Sequence, residues 1–172
     1  MSKKEQDLFL KYLKQATNYF EFGSGGSTVW ALAQPNIKSV TSIEADKKFA
    51  EKMQLECQTA NIHWIDVGKT GAWSTPKNNL KQSQWHNYYE ALKLANVTPD
   101  LILIDGRFRV ACALSCLNTD ALVIIHDFLN RPHYHEVLKY YDIIESVSTL
   151  VVLKKKDVYP EVNLKDYMFD VR

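Results

Sequence analysis

Cysteine is scarce in this sequence, and charge of either sign is not in excess. Cys57, Cys112 and Cys116 are the three cysteines in 172 residues. They are odd in number and too few for a disulfide framework, which points to the reducing cytoplasm. Lys and Arg number 21 against 20 Asp and Glu, a net charge of +1. No global attraction to nucleic acid or to an anionic membrane follows from that balance. No stretch reaches the ~18 apolar residues of a membrane span. The opening MSKKEQD has charges but no apolar run behind them, so it is not read as a signal peptide. Repeats and low-complexity segments are missing too. What is present is ordinary globular composition, 46% hydrophobic and 24% charged, in a chain sized for one domain of the usual ~100–200 residues.

Leu8, Phe9, Tyr12, Leu13 and Ala16 share one helical stripe, so an amphipathic N-terminal helix is expected within residues 1–16. NYFEF at 18–22 predicts a short strand, cut off by Gly23-Ser24-Gly25-Gly26. A helix should start near Ser27, a good N-cap, and stop before Pro35. The β-branched run 38–43 predicts a second strand. Residues 46–59 predict a helix with Phe49, Met53 and Cys57 four apart, and 62–67 (IHWIDV) a third strand. The polar segment 68–84 exceeds an ordinary connection of ~2–6 residues and is expected to be a lid or substrate loop. Residues 86–95 predict a helix. The apolar runs 100–104 and 121–125 read as strands buried on both faces. Helices are expected at 109–117 and from Pro132 to about Tyr140. The runs 142–147 and 149–154 are joined by Ser148 alone and predict an antiparallel pair, because parallel neighbours need a crossover. Residues 157–172 show no periodicity and read as a loosely attached C-terminal extension to a single domain of residues 1–156.

Strand and helix alternate at least five times. That order predicts an α/β, Rossmann-like doubly wound, mostly parallel sheet with helices on both faces and an antiparallel final strand. Such sheets bind ligands outside the carboxyl ends of their strands. The informative residues fall there. The first strand runs into Glu21 and the turn Gly23-Ser24-Gly25-Gly26-Ser27-Thr28, where glycines let the backbone approach a ligand. The second ends Glu44-Ala45-Asp46, an acid about 20 positions on that suits ribose hydroxyls; Asp46 reads as a helix N-terminal acid. The third ends Asp66-Val67, a carboxylate suited to an amino group with an apolar neighbour.

Taken together, these three strand ends resemble the class I S-adenosylmethionine-dependent methyltransferases, over roughly residues 17–154. The resemblance implies that Glu21 faces the methionine amino group of S-adenosyl-L-methionine, that Gly23, Gly25 and Gly26 carry the backbone around it, that Glu44 holds the ribose and that Asp66, beside Val67, meets the adenine. Ser27 stands where the family usually has a third glycine. A narrower likeness, in Gly68-Lys-Thr-Gly-Ala-Trp73 and Asp105-Gly106-Arg107-Phe108-Arg109-Val110, is to small bacterial methyltransferase-like proteins. It speaks to the cofactor and not to the acceptor.

Methyl transfer needs an oriented nucleophile and a base for its proton. Asp105, His126 and Asp127 at the ends of the fourth and fifth strands are the expected catalytic groups, Asp105 also bordering the cofactor; neighbours in a strand point to opposite faces, so His126 and Asp127 need not share the site. Metal-dependent O-methyltransferases follow the second acid with Asn; here Phe128 follows Asp127 and no metal is expected, His133 and His135 reading as surface or capping residues. Arg107, Arg109 and Arg131 suggest an anionic or glycan-related small-molecule acceptor, with Trp73, Trp85, Tyr88 and Tyr89 as an apolar lid. Cys112 and Cys116 read as core. The expected activity is O-methylation, since no Asn/Asp-Pro-Pro-aromatic sequence is present. The alternatives are an NAD-dependent oxidoreductase and a non-catalytic cofactor-binding module, completed by a homodimer partner or another protein.

Overall fold

Leu101 and Leu103 point to one side of a sheet and Ile102 and Ile104 to the other, and all four are buried. The same alternation runs through Leu122–Ile125 and Leu150–Leu153. This period of two, apolar at every position, demands cover on both faces. A computed structural model describes residues 1–167 and 169–171 and shows that cover.

Seven strands form one sheet: β1 (Asn18–Phe22), β2 (Ser39–Glu44), β3 (Asn61–Trp64), β4 (Leu101–Ile104), β5 (Leu122–Ile125), β6 (Tyr141–Val147) and β7 (Leu150–Lys155), in the order β3-β2-β1-β4-β5-β7-β6. β1 to β5 are parallel. β7 pairs antiparallel with both β5 and β6, so the hairpin folds its second strand inward. Helices α1 (Lys3–Leu13), α2 (Gly26–Leu32) and α3 (Lys47–Glu56) supply Phe9, Leu13, Ala31 and Met53 to one face. Short helices α4 (His86–Tyr89) and α5 (Ala91–Ala95) with α6 (Arg109–Ser115) supply Tyr88, Leu92, Val110 and Leu114 to the other. The expected Rossmann-like α/β fold is what the chain adopts.

Several boundaries differ from the sequence reading, each for a local reason. The expected helix 86–95 is two helices, broken at Glu90. The second helix begins at Gly26 with Gly25 as its cap, because the Ser27 hydroxyl is spent on Glu21. The helix expected at 46–59 stops at Glu56. β3 ends at Trp64, which leaves Asp66 and Val67 in the loop beyond it. Pro132–Lys139 winds as a 3₁₀ helix. The segment after β7 lies against the core through Val162, Leu164, Tyr167 and Val171, and the Tyr167 hydroxyl donates to Glu136 at 3.1 Å.

The N-terminal helix is tied to the far end of the sheet. Ser2 and Glu5 form a reciprocal cap, and Glu5 also accepts from Thr149 N at 2.9 Å and Thr149 Oγ1 at 2.7 Å. Burial pushes the Glu5 carboxyl up, but these donors outweigh it and hold it at about 2.

Candidate active site

Beyond the carboxyl ends of β1 to β5 lies a cleft of about 1010 Å³. Gly23–Ser27 after β1, Glu44 at the end of β2, Trp73 and Ser74 from the loop after β3, Asp105–Arg107 after β4, and His126, Asp127 and Arg131 after β5 all line it. Thus His126 and Asp127 do share the site. The strand has ended at Ile125, and Asp127 takes φ of 56°, so strand alternation no longer governs them.

The glycine turn is fixed by crowding. Gly23 has φ of 96°, and a Cβ there would stand 2.8 Å from Gly106 Cα. Gly25 is the opposite case: a Cβ there would meet nothing within 4 Å, because it faces the open cleft. Beneath the turn lies Glu21, fully buried and not lining the cleft as expected. It accepts from Tyr19 Oη at 2.8 Å, Ser27 Oγ at 2.6 Å and the Thr28 hydroxyl. Burial pushes its carboxyl up and the three hydroxyls pull back without restoring it. Tyr19, Phe20 and Phe22 on the same strand are buried, worth roughly 1.5–3 kcal/mol each; that offsets the burial of one acid whose oxygens are satisfied. Glu21 therefore anchors the turn from below.

Glu44 gathers three loops. Its Oε1 accepts from Ala45 N at 2.8 Å, Asp46 N at 2.9 Å and Ser74 Oγ at 2.7 Å, and its Oε2 from Ser24 N at 3.2 Å. Asp46 caps α3 through Phe49 N, as expected of it, and accepts from Thr70. Asp66 is ion-paired with Lys81, which holds its carboxyl below the usual range. Ala45 and Val67 are buried, and each offers its carbonyl to a tryptophan, Ala45 to Trp64 and Val67 to Trp85. Ala45, Asp66 and Val67 are not on the cleft wall that holds Glu44.

On the β4–β5 side, the Arg109 side chain is only 3% exposed. Its guanidinium donates to the carbonyls of Gly106 at 3.0 Å, Asp105 at 3.2 Å and His126 at 2.5 Å, and pairs with the Asp105 carboxylate at 3.0 Å. As the first residue of α6 it folds back over its own preceding loop, so its donors fasten the exits of β4 and β5 while the residue still lines the cleft. His126 Nδ1 lies 3.0 Å from Asp105 Oδ1. Burial lowers the imidazole and the Asp105 bond and charge raise it further, so the net shift is upward. Asp105, in turn, is pushed up by burial and pulled below its usual value by His126 and Arg109. The acids nearest His126 Nε2 are Glu5 at 3.6 Å and Asp127 at 3.8 Å, both beyond hydrogen-bond reach. Asp127 is held by Arg131 at 2.9 Å.

The aromatic lid divides. Trp73 is 86% exposed at the cleft rim, with φ of 56° followed by φ of 58° at Ser74, while Trp85, Tyr88 and Tyr89 are buried around Phe108. Two successive left-handed residues are strained, and they are held by Gly71 N donating to Thr75 O at 2.8 Å and by the Ser74–Glu44 bond. Sequence reasoning missed Glu5, Ser74 and Thr75 as neighbours of the site. For Glu5 a signal existed, the Ser2-x-x-Glu5 capping box. For Ser74 and Thr75 none did. Among the described residues no group of three or more His, Cys, Asp or Glu is placed to hold a metal ion.

No family model and no curated protein matches the chain. Among solved structures, a methyltransferase-like protein from Silicibacter pomeroyi DSS-3 is similar at 27% identity and a TM-score of 0.90, over 99% of this chain and 96% of that one. The N-methyltransferase NodS from Bradyrhizobium japonicum WM9, solved in complex with S-adenosyl-L-homocysteine, is similar in fold at a TM-score of 0.55 and 12% identity, over 90% of this chain and 88% of that one. Strand order, inward-folded hairpin and cleft together give this chain the Rossmann-like methyltransferase fold.

Proposed function

We propose that the chain is an S-adenosyl-L-methionine-dependent methyltransferase that acts on a hydroxyl of a small-molecule acceptor. The observation that carries the reading is Glu44, a carboxylate at the end of β2 on the cleft wall, bonded to Ser24 N of a glycine turn whose Gly25 opens onto free space. The chemistry of this pair fits the cofactor: bare backbone for its methionyl chain and an acid for its ribose. The fold neighbours support it, and NodS holds the demethylated form of the same molecule.

When bound, the cofactor supplies the methyl group and its own leaving group. The remaining work is done by side chains. Glu44 orients the ribose, displacing or sharing the Ser74 hydroxyl. Asp105 accepts from His126 Nδ1–H and so leaves Nε2 as the face that takes the acceptor hydroxyl's proton. Asp127, steadied by Arg131, borders the same space and orients the acceptor. Isothermal calorimetry tests the reading. S-adenosylmethionine should bind in the micromolar range, and Glu44→Ala should weaken it at least about tenfold, a loss of ~1.4 kcal/mol. No binding at millimolar cofactor overturns it. A thermal-shift comparison of NADH with S-adenosylhomocysteine separates it from a dehydrogenase, which would favour the former.

A further inference from the structure

Among the described arginines of the cleft wall, Arg107 has no ion-pair partner, unlike Arg109 and Arg131. The carboxylates of the β4–β5 side are already engaged. Asp105 is paired with Arg109 and His126, and Asp127 with Arg131 at 2.9 Å and Arg109 at 3.8 Å. The Arg107 guanidinium has one long hydrogen bond, Nη1 to Thr75 Oγ1 at 3.5 Å. Its Nε is buried with no hydrogen-bond partner. A half-buried guanidinium with a buried, unpartnered Nε and no counterion carries a desolvation cost, and its planar fork of donors matches an oxyanion. Burial and the nearby Arg109 charge lower its affinity for its own proton, in keeping with an uncompensated cation.

We propose that Arg107 seats an oxyanion, a carboxylate or a phosphate, carried by the methyl acceptor. This rests on the methyltransferase reading above. A cofactor carboxylate would offer the same chemistry, but the position of Arg107 favours the acceptor. Arg107 follows β4, on the opposite side of β1 from Glu44. The charged and phenolic groups acting on it, Arg109, Tyr134, Tyr88 and Arg131, belong to the segments before and after β4 and β5, and the loop after β3 reaches it only through the long Thr75 bond. His126 lines the same side of the cleft. At about 1010 Å³ the cleft stands at the top of the ~300–1,000 Å³ usual for one ligand, room for a nucleoside and a second molecule.

The test uses the full chain and its Arg107→Gln and Arg107→Lys variants. Benzoate and inorganic phosphate are titrated by NMR, with and without saturating S-adenosylhomocysteine; S-adenosylhomocysteine and methylthioadenosine, which lacks the methionyl carboxylate, are titrated by calorimetry. The proposal expects at least one anion to perturb the cleft in wild type, to lose about tenfold or more in affinity in Arg107→Gln, and to keep part of it in Arg107→Lys. It expects S-adenosylhomocysteine affinity to change by less than about twofold. A tenfold loss for S-adenosylhomocysteine with methylthioadenosine unaffected would assign the anion to the cofactor and overturn the proposal. Anion binding that ignores Arg107, or none at all, overturns it as well. If neither nucleoside binds, the cofactor reading fails separately, and the anion titration of the ligand-free chain still decides whether Arg107 holds an oxyanion.

Discussion

The Ser74 hydroxyl donates to Glu44 Oε1 at 2.7 Å, from a loop thirty positions away in sequence. In the function proposed above, that serine oxygen stands where a ribose hydroxyl would bond Glu44. Under the same proposal the Ser74 hydroxyl competes with the nucleoside for Glu44, whereas Lys81 ties the loop to Asp66 off the cleft wall.

Ser74→Ala removes the competitor. Its S-adenosylhomocysteine affinity should rise by about three- to tenfold, the worth of one displaced hydrogen bond of ~0.5–1.5 kcal/mol. Calorimetry against wild type measures it. A weaker complex would make Ser74 a ligand of the nucleoside and not its rival.

The Asp105–His126 pair sets a pH window. Asp105 titrates below its ordinary value and His126 above its own. The pair's stabilisation fades as pH falls through the lowered Asp105 value, and again as pH rises through the raised His126 value. Asp127, Glu5 and the chain's amino terminus face the same imidazole. An NMR titration of the His126 ring should give a midpoint above that of a free imidazole, and Asp105→Asn should move it down. The base-competent neutral form, and with it any methyl transfer, should then appear at lower pH in the variant.

Glu21→Ala strands the hydroxyls of Tyr19, Ser27 and Thr28, which should cost about 2–4 kcal/mol in urea unfolding. Glu21→Gln keeps an acceptor and removes the charge. Because the Glu21 carboxyl titrates above its ordinary value, its contribution is present at low pH and is lost as pH rises through that value. The stability of Glu21→Gln relative to wild type should therefore increase with pH. The opposite slope would show an ionised carboxylate that the fold favours.

Gly23→Ala places a methyl group against Gly106 at a backbone angle that side chains avoid. A cost of about 2–4 kcal/mol is expected, a fall of about 6–12 °C in melting temperature for a chain of this size. Gly25→Ala meets no such wall; it should leave the melting temperature nearly unchanged while weakening S-adenosylhomocysteine binding.

The parallel sheet was legible because Leu101–Ile104 and Leu122–Ile125 are apolar at every position, a pattern that only a strand covered on both sides explains. The shortness of the link at Ser148, which the structure extends to the two residues Ser148 and Thr149, likewise gave away the antiparallel pair. Strand ends were legible as a place where chemistry gathers, and Glu44, Asp105, His126 and Asp127 do line one cleft. Side-chain direction was not legible. Arg107 and Arg109 are two positions apart, carry the same donors and both line the cleft, yet Arg109 spends its donors on three backbone carbonyls and Arg107 has one long bond to Thr75. Glu21 and Glu44 are both acids near strand ends. The first sits inside its strand, paired with Ser42 of β2 in register, and so points into the fold; the second is the last residue of its strand. Contacts such as Ser74 to Glu44 depend on how a hairpin-like loop closes, which no local pattern records.

Arg109 gives the two halves of the cleft unequal freedom to diverge. Its guanidinium welds the exits of β4 and β5 through three carbonyls, so the platform beneath the reacting groups is stiff and intolerant of replacement. The opposite rim is a loop with its own turn and few buried side chains. None of the three carbonyl bonds involves that rim, so substitutions in residues 68–84 leave the joint between β4 and β5 in place.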